Sequence, residues 1–401
     1  MKVLIFNTLY YPNSIGGAEK SVQLLAESLK EKGINPVIVC TDKVEREDYV
    51  NGVKVYYIKN KNLYWFDQEQ KNNIQKSLWH ALDNYNYFIK KKITWIINQE
   101  KPQIIHTNNI TGFSMMPWIL AKENKLPLIH TLRDYSLMCS KTTMFKNGEN
   151  CDFPCKECKL FNFYKQKLSN ENHVDHLVGI SQFIINKFKD NDYFQGVPST
   201  RIFNGMELSN RSKINPEFNS FDRKIKFLYM GRIEKAKGIN KILEEISEIK
   251  DVELYIAGKV KDDEIKRNIQ EGKYPTNIKF LGFINPKEII PKIDVMLVPS
   301  LWHEPFGRVI IEAYSYGKTV IGTNLGGIPE LIVQGQTGFI YNPKESDSLK
   351  NIIKGIISNP DLLKSISNNL NGFITKFDSE LIASKYIEVY KGVIDKKAIK
   401  N

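Results

Sequence analysis

Two glutamates that lie eight residues apart, Glu304 and Glu312, are the side chains best placed to do chemistry in this chain. They belong to the stretch Pro299–Ala313, where an apolar run gives way to a proline–glycine loop and then to helical apolar spacing. A helix that begins near Gly307 places Glu304 in the loop and Glu312 roughly 12 Å further along by helical rise. Each carboxylate can accept hydrogen bonds from hydroxyls at one end of a shared ligand.

The start of this helix is also a candidate anion site. Free backbone N–H groups at a helix N-terminus favour phosphate. The ligand that fits both features carries phosphates in the middle and hydroxyls at each end, as a sugar nucleotide does. The alternative is a surface-loop glutamate followed by an ordinary helical glutamate. The Glu-Pro-Phe-Gly sequence between strand and helix favours the site.

A second candidate for phosphate binding is the basic loop after the apolar run Ile225–Tyr229. This loop contains Gly231, Arg232 and Lys237, and Gly258 follows the next apolar run in the same way. Arginine can grip a diphosphate at two points, whereas lysine acts as a point charge. The alternative is a solvated basic loop. Its position after the first strand of a βα unit favours ligand binding.

The residues around Glu304 and Glu312 closely resemble the E-x7-E motif of retaining glycosyltransferases of the glycogen-synthase-like group, known as family 4. The resemblance covers nearly the whole chain. It implies an α/β fold of the GT-B type, with two Rossmann-like domains facing across a cleft and a C-terminal helix crossing back to the first domain. It also implies transfer of a hexose-type sugar, with retention, from a UDP- or GDP-sugar to a glycan or lipid-linked acceptor. We expect that no cofactor and no catalytic metal are required.

The resemblance also assigns roles to residues. It implies that Glu304, Arg232 and Lys237 are catalytic, with the two cations neutralising the diphosphate. Glu304 and the neighbouring backbone hold the donor sugar, and Glu312 binds the ribose. The donor-binding set is then Gly16, Gly17, Gly231, Arg232, Lys237, Gly258, Glu304, Phe306, Gly307, Arg308, Val309 and Glu312.

Paired glycines, Gly16 and Gly17, follow the first predicted strand, Val3–Phe6. Glycine lets a backbone come close to a ligand, although a tight turn explains the pair equally well. In the resembling family this loop lines the cleft and its amides approach the donor phosphates. That implication makes Gly16 and Gly17 candidate site residues.

Four polar residues, His106, Asn108, Arg133 and Asp134, follow two further predicted strands and form the expected acceptor side. His106 either faces the cleft or caps its strand. In the family a histidine often precedes the aspartate, but Arg133 takes that place here and cannot act as a general base. It can hold an anionic acceptor or the departing diphosphate. Arg133 therefore leaves the reaction class intact but also motivates an alternative, a non-catalytic protein that binds sugar nucleotides or glycans.

Four cysteines, Cys139, Cys151, Cys155 and Cys158, fall close together. The last three have the C-x3-C-x2-C spacing of radical enzymes that bind an iron–sulfur cluster and S-adenosylmethionine. Those enzymes carry an aromatic residue where this chain has Glu157, which argues against a redox enzyme. Four thiols can also hold structural zinc or a cluster. We favour reduced thiols within an acceptor-side insertion over about residues 136–165.

A length of 401 residues with 42% apolar residues predicts two domains of ordinary size. We expect the first at 1–204, completed by about 379–401, and the second at 205–378. The polar stretch 207–224 is the expected linker.

The net charge of +12 suits anionic partners such as nucleotide diphosphates, although a lysine-rich composition explains most of it. We expect no nucleic-acid partner. Aromatic and basic residues interleave over 62–97, including Tyr64, Trp65 and Phe66. They predict a pair of amphipathic helices packed on the sheet, with a membrane surface as the minority interpretation. The polar N-terminus and the absence of a long apolar run predict a cytoplasmic protein, peripheral at most on the inner membrane face.

Overall fold

The computed structural model describes residues 1–13, 16–63, 72–208 and 224–400. The chain forms two compact units. Unit 1 comprises Met1–Met144, Cys151–Glu207 and Phe377–Asn401, and unit 2 comprises Phe145–Asn150 and Leu208–Lys376. Tyr64, Trp65 and Phe66 of the aromatic stretch, and residues 209–223 of the expected linker, lie outside the described residues.

Strands and helices alternate along the first half of the chain. The strands are β1 (Lys2–Phe6), β2 (Asn35–Asp42), β3 (Arg46–Val50), β4 (Val53–Lys59), β5 (Ile104–Thr107), β6 (Leu128–Leu132), β7 (Phe145–Lys146), β8 (Glu149–Asn150), β9 (His176–Gly179) and β10 (Ser199–Arg201). The helices are α1 (Gly17–Glu31), α2 (Asn73–Asn84), α3 (Tyr87–Glu100), α4 (Met116–Glu123), α5 (Lys156–Asn170) and α6 (Gln182–Lys189).

The described part of unit 1 contains one large sheet with the strand order β10-β9-β6-β5-β1-β2-β4-β3. Its pairings are parallel except for β3, which runs antiparallel to β4 at the edge. The central strands are nearly continuous apolar runs because helices cover both faces of such a sheet. The last helix of the chain packs on this core through Ile382, Tyr386 and Tyr390.

The second half of the chain repeats the alternation. Its strands are β11 (Ile225–Met230), β12 (Val252–Ala257), β13 (Ile278–Gly282), β14 (Val295–Val298), β15 (Thr319–Thr323) and β16 (Gly338–Tyr341). Its α-helices are α7 (Ile239–Ser247), α8 (Asp263–Gln270), α9 (Pro286–Ile289), α10 (Arg308–Ser315), α11 (Ser348–Ser358), α12 (Asp361–Phe373) and α13 (Ser379–Lys400). Short 3-10 helices span Lys235–Lys237, Ile290–Lys292, Ile328–Glu330 and Ile374–Phe377.

The large sheet of unit 2 is entirely parallel over the described residues, with the order β13-β12-β11-β14-β15-β16. Numbered from β11, the first of its strands along the chain, that order is 3-2-1-4-5-6, the order of the dinucleotide-binding fold. The order reverses between β11 and β14, which are direct neighbours. Ligands of such sheets bind outside the carboxyl ends of the strands at this reversal.

The aromatic and basic stretch forms the two helices that the sequence predicts, α2 and α3, within its described part. Trp79 is buried, but Tyr87, Phe88 and Trp95 are exposed, so packing on the sheet accounts for only part of the aromatic content. None of the helices that the structure describes is long and apolar enough to span a bilayer.

Candidate active site

Two loops meet at the carboxyl edge of the unit 2 sheet, where the strand order reverses. The first loop follows β11 and carries Arg232 and Lys237, and the second follows β14 and carries Glu304. The backbone ties them together, since the amides of Leu301 and Trp302 both donate to the carbonyl oxygen of Ala236 at 2.9 and 3.2 Å. The fold therefore brings together residues that are about 70 positions apart in the chain.

The central contact of this site is the ion pair between Lys237 and Glu304. Lys237 Nζ lies 2.7 Å from Glu304 Oε1, and both side chains are largely buried. The hydroxyl of Ser300 donates to the same carboxylate oxygen. Burial raises the pKa of Glu304, but the neighbouring Lys237 outweighs this effect and the net pKa is lowered. The site thus favours the carboxylate form of Glu304 at a largely buried position.

Close backbone approach fixes the geometry of the two loops. Gly238 adopts a left-handed conformation, with φ at 69°, and an added Cβ would lie 1.9 Å from the carbonyl oxygen of Pro299. Gly326 is similar, because its Cβ would lie 2.5 Å from the carbonyl oxygen of Glu304. Only glycine fits at either position without moving backbone. These contacts make the loop around Glu304 a rigid part of the unit.

Helix α10 begins directly after this loop and aims its N-terminus at the site. Its capping residue, Gly307, has φ at 95° and supplies no side-chain cap. The first amides of the helix are therefore directed toward the carboxyl edge of β14, a position that favours an anion. Glu304 Oε2 lies 3.6 Å from the position of a Cβ on Gly307, so the carboxylate borders the helix start.

The other unit 2 residues predicted for donor binding lie in the loops after β11, β12 and β14 and on α10. Arg232 is mostly exposed, with its guanidinium 3.1 Å from Glu234, so it can swing toward an anion. Glu312 is paired with Arg308 one turn earlier, at 3.1 Å, and both side chains are largely buried. Phe306 is buried. Val309 is half-buried, and Gly231 and Gly258 pack against each other at the ends of β11 and β12.

Unit 1 carries a separate polar cluster at the carboxyl ends of β5 and β6. Arg133 donates to Asn108 at 2.7 Å and to Asn204 at 2.5 Å. Asp134 accepts from the side chain of Asn109 at 2.6 Å, and burial raises its pKa despite the hydrogen bonds that oppose the shift. Arg133 also lines a cavity within unit 1. The structure thus brings Asn108 and Arg133 together, because they follow β5 and β6, which are neighbouring strands.

His106 lies in the core rather than on a surface. Its Nδ1 is 2.8 Å from the hydroxyl of Tyr390 and its Nε2 is 2.8 Å from the hydroxyl of Thr131. The ring also stacks on Tyr386 at 5.3 Å, and burial lowers its pKa well below the usual value. Of the two interpretations of His106, the geometry favours the structural one, because the ring joins α13 to the sheet and has no exposed face.

Gly16 is the capping residue of helix α1, and Gly17 is the first residue of that helix. The amide of Gly16 is occupied in this structure by the carboxylate of Glu19, at 3.0 Å. Burial raises the pKa of Glu19, which makes the charged carboxylate that accepts this hydrogen bond less favourable. An approach of this loop to donor phosphates therefore stays a prediction.

The four clustered cysteines do not form a metal site. Within the described residues, no group of three or more His, Cys, Asp or Glu side chains could hold a metal ion. Instead, Cys158 donates a hydrogen bond to Cys139, which lowers the pKa of Cys139 to about 6. All four are free thiols, and Cys151 and Cys155 are half-buried. The cysteines therefore do not come together as the set of ligands that their spacing suggested.

Comparisons with known proteins agree with this architecture. A family model described as glycosyl transferases group 1 matches residues 210–372, and one described as glycosyltransferase family 4 matches residues 15–210. An uncharacterized 42.6 kDa protein from the cps region of Klebsiella pneumoniae is 33% identical over 98% of this chain and 100% of the relative. The chain belongs to glycosyltransferase family 4.

Solved structures support the same fold for this family 4 glycosyltransferase. The sucrose-phosphate synthase of Thermosynechococcus elongatus superimposes with a TM-score of 0.78 at 18% identity, covering 98% of this chain and 99% of the other. Anabaena HepE, solved in complex with UDP-glucose, gives a TM-score of 0.72 at 19% identity over 98% and 100% of the two chains. The GT-B fold that the sequence implied is confirmed.

Sequence reasoning missed several residues that shape the site of this glycosyltransferase. Ser300 bonds with Glu304, and Lys237 lies over the ring of Trp302, 4.9 Å from its centroid. Ser300 and Trp302 both lie in the stretch Pro299–Ala313, so their position close to Glu304 in the sequence was the signal that could have identified them. Asn150 hydrogen-bonds with the loop that carries Glu304, and no feature of the sequence around it indicates that contact.

Proposed function

We propose that this glycosyltransferase moves a hexose-type sugar from a UDP- or GDP-sugar to a glycan or lipid-linked acceptor, with retention at the anomeric carbon. The observation that carries the proposal is the contact between Lys237 and Glu304 at the reversal of strand order. A buried cation beside the start of a helix is suited to a diphosphate, and a carboxylate at the same point is suited to sugar hydroxyls. The complex of HepE with UDP-glucose supports this class of donor.

In the proposed donor complex, the diphosphate lies at the N-terminus of α10. Lys237 and Arg232 neutralise the phosphate charge, Glu304 and the Phe306–Gly307 backbone hold the sugar, and Glu312 binds the ribose. Glu312 reaches the ribose by exchanging its bond with Arg308 for the ligand hydroxyls. The two cations and the helix N-terminus stabilise charge that develops on the leaving group, so we propose that no divalent metal is needed.

The proposed reaction forms a bond between an acceptor oxygen and the anomeric carbon on the face that the diphosphate leaves. The bond between the anomeric carbon and the phosphate oxygen breaks, and its electron pair stays on the diphosphate. That phosphate oxygen takes the proton of the acceptor hydroxyl, so no protein base is required. This route fits a chain that carries Arg133 where the family often has a histidine.

The test is release of nucleoside diphosphate from UDP-glucose, UDP-galactose or GDP-mannose in the presence of glycan and lipid-linked acceptors. Lys237→Ala should lower the rate about 100-fold or more, the effect of removing one group that stabilises developing charge. Glu312→Ala should lower kcat/KM about 10-fold to 100-fold, because the ribose loses a hydrogen bond to a charged group. Lys235→Ala is the matched control, since Lys235 is exposed on the same 3-10 helix. Wild-type rates in both site variants, or binding without turnover on every acceptor, would refute the proposal.

We also infer a peripheral position on the cytoplasmic face of the inner membrane. The support is the outer face of α3, where Phe88, Lys91 and Trp95 are exposed at helical spacing. An aromatic and basic helix face suits an anionic lipid surface.

The test is sedimentation of the protein with lipid vesicles. Phosphatidylglycerol vesicles should carry down the wild-type protein and less of a Phe88→Ser variant, whereas phosphatidylcholine vesicles should carry down little of either protein. Phe283→Ser, at an exposed position in unit 2, is the control. Equal sedimentation of all proteins would contradict this inference.

A further inference from the structure

A short hairpin in unit 2 holds the loop that carries Glu304. Strands β7 and β8 pair antiparallel around the turn Asn147–Gly148, in which both residues have positive φ, 54° and 86°. This is the conformation of the tight turns that join two-residue hairpins, so the strand that follows is firmly placed. The last residue of the hairpin is Asn150.

The side chain of Asn150 makes two hydrogen bonds with the backbone of that loop. Its amide nitrogen donates to the carbonyl oxygen of Leu301 at 2.7 Å, and its amide oxygen accepts from the N–H of His303 at 2.7 Å. The two partners are alternate residues, so one planar amide pairs with the loop as a neighbouring strand would. Only a side chain with a donor and an acceptor on one group can satisfy both.

Other bonds hold the same short loop from other directions. Thr323 donates to the carbonyl oxygen of Ser300 at 2.9 Å, and the amide of Gly327 donates to the carbonyl oxygen of Glu304 at 2.7 Å. The contacts of Asn150 fall between these two points. Without them, Leu301 and His303 would each lose a backbone hydrogen bond directly before the carboxylate.

We propose that Asn150 is a positioning residue that sets the backbone of residues 301–303 and, through it, the carboxylate of Glu304. The proposal rests on the proposed function, because Glu304 is there the residue that holds the donor sugar. Asn150 itself need not touch the substrate. Its role is to keep Glu304 at a fixed place beside the start of α10, where small displacements of a binding group weaken the productive complex.

Two variants separate hydrogen bonding from packing. Asn150→Ala removes both bonds, and Asn150→Asp keeps the shape of the side chain but places a carboxylate oxygen against the carbonyl of Leu301. If the side chain only fills space, Asn150→Asp should behave as the wild type does and Asn150→Ala should be impaired. If the two hydrogen bonds matter, both variants should be impaired. Glu149→Ala is the matched control, since Glu149 is the preceding residue of the same strand and is exposed.

The first measurement is hydrogen exchange of the peptide that covers residues 299–306 in the full-length protein. Asn150→Ala should exchange there about fivefold to tenfold faster, because the N–H of His303 loses its acceptor. Asn150→Asp should also exchange faster than the wild type, because its carboxylate repels the carbonyl oxygen of Leu301, whereas Glu149→Ala should match the wild type. The melting temperature and circular dichroism of each variant check that the fold is kept. Unchanged exchange in Asn150→Ala would overturn the proposal whatever the ligand is.

The second measurement compares affinity for UDP with UDP-glucose, and for GDP with GDP-mannose. Both Asn150 variants should lose about tenfold in affinity for the sugar nucleotide that the wild type binds, and less than twofold for its free diphosphate, because Glu304 faces the sugar. Equal loss for both ligands would overturn the assigned role. A wild-type protein that binds none of the four would refute the proposed function instead, and hydrogen exchange would then decide whether Asn150 holds the loop.

Discussion

Replacing Lys237 with methionine should destabilise the protein by leaving Glu304 as a buried charge without its partner. In the structure, the two charged atoms are 2.7 Å apart, and the side chains are 18% and 11% exposed. Burial works to raise the pKa of Glu304, and Lys237 is the main reason that it stays low. Methionine keeps most of the length of the lysine side chain and removes the charge. The pKa of Glu304 should therefore rise in the variant.

The size of the effect follows from the distance and the burial. At an effective dielectric constant of about 20, two unit charges 2.7 Å apart attract by about 6 kcal/mol. Much of that energy only offsets the cost of removing both charges from water, and breaking a buried pair costs about 3–5 kcal/mol. Because both side chains keep some exposure, we expect a loss of about 2–4 kcal/mol in the free energy of unfolding, or roughly 4–16 °C in Tm.

The effect should also depend on pH. A carboxylate whose pKa is lowered in the folded state stabilises the protein above its unfolded pKa of about 4.3, and that stability is lost as the pH falls through the folded value. In Lys237→Met, Glu304 can take up a proton at a higher pH, which relieves the penalty. The difference in stability between wild type and Lys237→Met should therefore be largest at neutral pH and shrink as the pH falls below about 5.

The assay is scanning calorimetry of four proteins: wild type, Lys237→Met, Glu304→Gln and the double variant. The double variant should be more stable than Lys237→Met, because glutamine carries no charge to bury, and the coupling energy should exceed about 1 kcal/mol. Lys235→Met, on the same 3-10 helix but exposed, should unfold as the wild type does. A Lys237→Met protein with wild-type Tm, or a double variant with no coupling, would refute the account of this pair.

Three further predictions concern backbone and charge. Gly238→Ala should cost about 2–4 kcal/mol of stability and weaken nucleotide binding, because its Cβ would meet the carbonyl of Pro299, and a variant with normal Tm would contradict this. The pKa of Glu100 falls to about 2, because its hydrogen bonds from lysine and tyrosine outweigh the effect of burial. Glu100 should therefore stabilise the fold above about pH 4.3 and lose that effect toward pH 2. Urea unfolding of Glu100→Gln should show a loss of about 1–2 kcal/mol in the free energy of unfolding at pH 7, and this loss should disappear near pH 2. Burial, with help from the charge of Arg133, lowers the pKa of His130 to about 3. The NMR ring signals of His130 should therefore not titrate between pH 8 and 5. The stability of the fold should decline as the pH falls from about 6.5 toward 3, because only the unfolded state takes up the proton in that range.

The strands of both units could be predicted because buried parallel strands are short apolar runs. The strand β14 before Glu304 and the strand β11 before Arg232 were found in this way. Their adjacency could not be found from the runs themselves, since the order of strands depends on crossovers that leave no local signal. The resemblance to family 4 supplied that step. The edge strand β3 was missed because its sequence, Arg-Glu-Asp-Tyr-Val, is mostly charged and three of its five residues are exposed.

Side-chain partners were less predictable than strands. The types of Lys237 and Glu304 indicated a phosphate and a hydroxyl ligand, but nothing in the sequence predicted that they contact each other. Asn150 reaches its partners across about 150 residues, and asparagine in a turn-rich segment is ordinarily explained by the turn. His106 was ambiguous because a polar residue at a strand end can face a ligand or the core. Tyr390 of α13, which hydrogen-bonds with it, is nearly 300 residues away.

The central claim is that a diphosphate binds at the start of α10, beside Lys237. The most direct measurement is a crystal structure of the protein with bound UDP or GDP, whichever raises its Tm more. We expect phosphate oxygens about 3 Å from Lys237 Nζ and from the first amides of α10, and ribose hydroxyls within reach of Glu312. A nucleotide bound elsewhere, or phosphates that contact neither Lys237 nor the helix start, would contradict the account.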